Sequence, residues 1–155
     1  MCKDYIIKKK LMLTDWSQSL NNMREELWLK PIKKGSWATA DIISHFKLWD
    51  IFLIENRLCY LVRGEAFPKI EVDVEGMNKK ASDYARSGIS KNDLIGEFIL
   101  VRKELVSIIN HIPVEKFNQP CKGKEHLTLC DYLSSMVDHD IHHKKQIDDF
   151  LAMSL

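Results

Sequence analysis

Three of the six histidines in this chain, His45, His139 and His143, have the spacing of a metal site. An i, i+4 pair lies about 40° apart around a helix and roughly 6 Å apart along it. The imidazoles of His139 and His143 can therefore reach one ion. A third imidazole from a facing helix closes one trigonal face of the metal and leaves its remaining positions open. Open positions distinguish catalytic metal sites from structural ones.

The last predicted helix places the pair inward. With His143 set to zero at 100° per residue, Leu129, Tyr132, Met136, His139, Ile147 and Phe150 fall within about 40° of it. His142 falls about 100° away, toward the edge of the stripe, where it forms an alternative i, i+3 pair with His139. Two imidazoles in an apolar stripe leave ring nitrogens to be satisfied, either by backbone and each other or by a shared cation. An inward-facing His45 favours the cation. His111 closes a helix, where positive charge suits the dipole, and His126 lies in a loop; neither is assigned a role. Three neutral imidazoles with water suit zinc, and the same set serves nickel, iron, cobalt or manganese. Asp41, one turn before His45, and Asp140, beside the pair, are candidates to orient a ring or a bound water. Each also has an ordinary explanation, Asp41 as a first-turn carboxylate and Asp140 as a solvated flank.

Four long amphipathic segments must position these groups. The first carries Leu13, Trp16, Leu20, Met23 and Leu27 as an a/d seam, extended by Ile6 and ended by Pro31. The second, 38–63, sets Ile42, Leu48, Trp49, Phe52 and Cys59 on the His45 face. Ile43, Ile54 and Leu61 form an opposite apolar face, which the following segment or a second subunit would cover. Residues 64–74 read as a loop broken by Pro68, followed by a short amphipathic helix over 74–86. Ser90 with Asp93 opens the third long helix, whose seam is Leu94, Phe98, Val101, Leu105, Ile108 and Ile112, closed by Pro113. Thr128 with Asp131 opens the last. No strand of convincing alternation is present. The expectation is an all-α single domain over 1–155, a four-helix bundle with one longer connection carrying a short extra helix.

Bulk composition is that of a globular protein, 45% hydrophobic and 29% charged. With 23 basic against 22 acidic side chains, no overall field favours nucleic acid or an anionic membrane as partner. The runs Lys8-Lys9-Lys10 and Lys33-Lys34 read as solvated faces. The first ten residues are too charged for a secretory signal, and no run approaches the roughly 18 apolar residues of a membrane span. Cys2, Cys59, Cys121 and Cys130 show no CxxC spacing and read as reduced thiols of a cytoplasmic protein, with Cys59 and Cys130 in the core and Cys2 exposed.

The stretch Trp37 to Asp50, WATADIISHFKLWD, resembles the second-helix signature of the DinB/YfiT-like superfamily. There a tryptophan precedes a histidine by eight residues, and an aromatic and an acid follow. The stretch from Asp131 through His139-Asp-Ile-His-His143-Lys-Lys-Gln146-Ile147 is similar to its fourth-helix signature, H-x-x-H-H-x-x-Q-I. Together with the helix order, the resemblance spans nearly the whole chain. It implies a divalent metal held inside a four-helix bundle by His45, His139 and His143. One departure is Ala38, where the family has a serine or threonine cap; Thr39 or Ser36 is the substitute. Activities in the superfamily are diverse. Some members are similar to transferases or isomerases using a low-molecular-weight thiol such as bacillithiol or mycothiol, and others to metal-dependent hydrolases. The resemblance thus implies a small-molecule substrate and a thiol S-transferase. The alternatives are a hydrolase, whose base would come from Asp41 or Asp140, and a non-catalytic, metal-braced binding protein or homodimer.

Overall fold

The computed structural model describes residues 1–154, which are mostly helical with one small two-stranded sheet. Helices α1 (Cys2–Ser19), α2 (Glu25–Trp28), α3 (Thr39–Leu53), α4 (Cys59–Val62), α5 (Val74–Ala85), α6 (Lys91–His111) and α7 (Leu129–Met153) follow in order. Strands β1 (Pro120–Cys121) and β2 (Lys124–Thr128) pair antiparallel between α6 and α7. This hairpin was not expected from the sequence, because strands so short leave no alternation to read. Among the described residues no helix is long and apolar enough to cross a membrane.

The helix α1 begins at Cys2, well before the expected seam, and buries Ile6, Lys10, Leu13 and Ser17 at spacings of four and three. Lys10 therefore lies inside and not on a solvated face as expected. The helix tightens into a 3-10 turn at Leu20–Asn22, and Met23 is extended at φ −72°, ψ 152°. Asn21 and Asn22 sit at the break, as asparagine side chains compete for backbone hydrogen bonds. The seam continues in α2, where Leu27 and Trp28 are buried.

At the start of α3 neither Thr39 nor Ser36 acts as the cap. Ala38 is the cap residue, and Asp41 Oδ2 accepts from its backbone N–H at 2.8 Å. Ser36 instead closes the preceding loop through the backbone of Lys33. The second long segment is not one uniform α-helix. A π-helical turn at Ile54–Leu58 separates α3 from α4, and its added residue rotates everything beyond it by about 100°. Arg57 and Leu58 are carried inward, and Cys59 is only half-buried. Ile43 and Ile54, offered above as a second face, are buried within the chain. Ile43 shares an apolar cluster with Leu94, Ile95 and Phe98 of α6.

Of the two capping boxes expected downstream, the one at Thr128 and Asp131 is complete, while at Ser90 only the serine half forms. Ser90 Oγ accepts from Asp93 N at 3.0 Å, and Thr128 Oγ1 accepts from Asp131 N at 3.0 Å. The core falls into two apolar clusters: one toward α4 and the hairpin around Leu58, Phe67, Leu105 and Leu133, the other toward the opposite end around Leu13, Phe46, Phe98 and Ile147.

Cys2 and Cys130 are joined in a disulfide, with Cα atoms 6.1 Å apart, while Cys59 and Cys121 are free. The reading of all four cysteines as reduced thiols therefore fails for this pair. The first turns of α1 and α7 lie side by side, a juxtaposition that 128 residues of separation conceal. Cross-linking so long a loop restricts the unfolded chain strongly, so the Cys2→Ser/Cys130→Ser variant is expected to lose at least about 2 kcal/mol. Urea denaturation of oxidised wild type and variant measures this, and coincident midpoints would contradict it.

Candidate metal centre

Two helices bring the three histidines together. His45 enters from the middle of α3, and His139 and His143 enter from one face of α7. Ring centroids are 4.5 Å apart for His139 and His143, 5.3 Å for His45 and His139, and 5.2 Å for His45 and His143. One ring nitrogen from each lies within 4.8 Å of the other two, close enough to bind one metal ion. All three histidines picked out from the sequence thus converge. His142 stays on the exposed side of α7.

Hydrogen bonds fix which nitrogens face inward. Asn78 Oδ1, from α5, accepts from Trp49 Nε1 at 3.0 Å and is also 3.0 Å from His45 Nδ1. An indole N–H can only donate, so this amide atom is the oxygen, and His45 must donate to it through Nδ1. That assignment leaves a lone pair on His45 Nε2. The atom is buried and has no hydrogen-bond partner. His143 Nδ1 lies 2.8 Å from Gln146 Oε1, which assigns its proton to Nδ1 and a second lone pair to Nε2. The Nε2 atoms of His143 and His139 are 3.2 Å apart. Two nitrogens bound to one zinc at tetrahedral angles stand about 3.3 Å apart. The residues present therefore fit a divalent ion, and the unpartnered Nε2 of His45 is the observation that a purely hydrogen-bonded cluster leaves unexplained.

Electrostatics keep the rings neutral. Burial pushes His45 down to about 4, with the neighbouring His143 adding to the effect. Burial also lowers His139 and His143, and the adjacent imidazoles reinforce the shift in His143. Neutral imidazole is the form that binds metal. Trp37, the tryptophan eight residues before His45, covers the cluster with its ring centroid 4.9 Å from His45 and 5.9 Å from His143. His139 is exposed, so small molecules can reach the centre.

The two aspartates weighed in the sequence have other partners. Asp41, besides capping α3, accepts from Ser82 Oγ and from Arg86 Nη2, both at 2.7 Å, and so ties α5 to α3. Asp140 is not a solvated flank. It is 4% exposed and accepts from Lys10 Nζ at 2.9 Å and Arg102 Nη1 at 3.0 Å. Burial would raise its carboxyl, but Arg102 and then Lys10 outweigh that and hold it below the ordinary range. Arg102, fully buried, also grips Asp50 through Nε at 2.6 Å and Nη2 at 3.1 Å. Two cations and two anions thus lie beneath the histidines.

Asn78 and Gln146 are the ring-orienting groups that sequence reasoning did not identify. Gln146 had a signal, since it stands one turn after His143. Asn78 had none, because its role depends on α5 lying against α3. The short helix α5 thereby supplies Val74 and Asn78 to the wall of a cavity of about 530 Å³ beside the histidines. Trp49, Phe52, Leu53 and Met136 make most of the cavity apolar.

Comparison with models of known protein families, with curated proteins and with solved structures finds no match.

Proposed function

We propose that this chain is a divalent-metal-dependent enzyme of the DinB/YfiT-like type, with α1, α3, α6 and α7 as the rods of a four-helix bundle. The reaction proposed is thiol S-transfer to a small electrophile. His45, His139 and His143 are the ligands. The observation that carries the reading is the buried, unpartnered Nε2 of His45, held toward two further imidazoles by Asn78. A bound zinc or nickel ion would lower the pKa of a small thiol and stabilise its thiolate. The protein's own residues bind and orient. Asn78 and Gln146 fix two of the rings, Trp37 shields them from water, and the apolar walls accept the electrophile.

Transfer is favoured over hydrolysis because Asp41 and Asp140, the bases a hydrolase would draw on, are engaged in capping and in ion pairs. Cytoplasmic placement, where small thiols are abundant, belongs to this proposal, and the Cys2–Cys130 disulfide, a bond rare in that compartment, stands against it. Elemental analysis of protein purified without chelators is expected to find one metal ion per chain, absent from the His143→Ala variant. Metal-loaded protein should then accelerate the reaction of a low-molecular-weight thiol with a chromogenic aryl halide. A rate no greater than that of the triple His→Ala variant would defeat the enzymatic reading.

A further inference from the structure

Of three buried cations, Lys10 lines the cavity while Arg102 and Arg57 stand behind residues that line it, and the three are not equivalent. Lys10 and Arg102 are neutralised by Asp50 and Asp140. Arg57, only 4% exposed, makes no ion pair with any described carboxylate. It is carried inward by the π-helical turn at Ile54–Leu58, a kind of insertion often found at functional sites. Phe52 and Phe67 cover its guanidinium, with ring centroids at 5.0 and 5.3 Å. Of its donors, Nη1 bonds to Asn56 O at 2.9 Å and Nε bonds to the Tyr132 hydroxyl at 3.2 Å. No described residue accepts from Nη2.

The Tyr132 contact sets the direction of a second donor. A guanidinium has no lone pair to offer, so the Tyr132 oxygen accepts from Arg57 and its own proton needs another acceptor. No described residue supplies one, although Tyr132 is only 9% exposed and lines the histidine cavity. Burial raises its phenol above the ordinary value, with Arg57 opposing, so the hydroxyl keeps its proton at neutral pH. A polarised O–H therefore faces the cavity, backed by an uncompensated positive charge. An anion in the cavity would accept from this hydroxyl and offset that charge.

We propose that Tyr132, charged from behind by Arg57, binds a carboxylate of the substrate in the cavity beside the three histidines. The Tyr132 hydroxyl offers one donor into the cavity and Arg57 behind it adds one unit of positive charge, which together match a singly charged carboxylate. A phosphate would bring a second negative charge and additional oxygens against Phe52, Leu53 and Met136, which offer no donor. The substrate class is thus a small, largely apolar carboxylic acid. This assignment rests on the reading of the cavity as the substrate site. Tyr132 is the binding residue, and Arg57 is a positioning residue that acts through it.

The test compares two probes of one shape, 4-phenylbutyrate and 4-phenylbutyramide, titrated into the whole protein and followed by calorimetry. Wild type is expected to prefer the acid by about tenfold, the worth of a charge-assisted hydrogen bond. Arg57→Met should erase that preference without weakening the amide, and Arg57→Lys should restore part of it. Tyr132→Phe should weaken the acid and leave the cavity's apolar affinity intact. A structural role for Arg57 would change thermal stability but not the ratio of the two probes. Repeating the titrations after chelation separates this proposal from the metal reading. A preference that vanishes with the metal and ignores Arg57 would place the anion on the metal and overturn the assignment. A preference that depends on Arg57 in a protein that binds no metal would sustain it while the metalloenzyme reading fell. Equal binding of acid and amide by wild type would end it outright.

Discussion

Replacing Arg102 with alanine is expected to destabilise the protein by about 3–5 kcal/mol, the usual result of removing one side of a buried ion cluster. Its guanidinium is fully buried and is shared between Asp50 and Asp140, with a longer contact to the backbone carbonyl of Lys10 at 3.4 Å. Without it, two buried carboxylates would share the single charge of Lys10. One of them would then bind a proton at a pH where the wild type binds none. The sign follows: an uncompensated aspartate has a raised pKa in the folded state, so the deficit is largest near neutrality and shrinks as pH falls. Urea denaturation at pH 7 and pH 5 measures both effects. Removing the charge and one partner together, as Arg102→Met/Asp50→Leu, should cost less than Arg102→Ala alone, because the stranded carboxylate is gone. A loss below about 1 kcal/mol in the single variant would mean that the cluster is reached by water and contributes little.

This ion cluster also marks where the sequence stopped being informative. The helix starts at Ser90 and Thr128 were legible because capping is local: the donor and acceptor stand three residues apart. The histidine pair was legible for the same reason, since His139 and His143 are one turn apart, and the stripe around them gave the inward direction. His45 needed only the stripe of its own helix. Lys10 was misread because its spacing from Ile6 and Leu13 points inward while its neighbours Lys8 and Lys9 suggest water. Nothing local decides between the two signals. The decision lies with Asp140, Asp50 and Arg102, which come from three other helices. The π-turn that buries Arg57 has no residue signature, so the second long segment read as uninterrupted. The Cys2–Cys130 bridge and the β1–β2 hairpin depend likewise on the way helices are laid together. Local physics wrote the elements and the histidine cluster, and long-range compensation decided which charges lie inside.

Acidification of the metal-free protein is expected to remove about 3 kcal/mol of stability through His45 alone. In the unfolded chain this imidazole titrates at its ordinary value of 6.5, and burial lowers it to about 4 in the folded state. Above 6.5 both states carry it neutral, and the native fold bears no penalty. Between 6.5 and about 4 only the unfolded chain takes up the proton, so stability is lost progressively as pH falls through that window. Below it both states are protonated and the loss levels off. The difference in unfolding free energy between wild type and His45→Gln, both stripped by chelator, isolates this step from the acids elsewhere. Adding zinc should raise wild-type stability by mass action, about 4 kcal/mol at a thousandfold excess over its dissociation constant. That gain should fade with falling pH, as protons compete for the same lone pairs. If the wild-type and His45→Gln curves run parallel across the window, the imidazole is solvated and its Nε2 is not held in a dry site awaiting an ion.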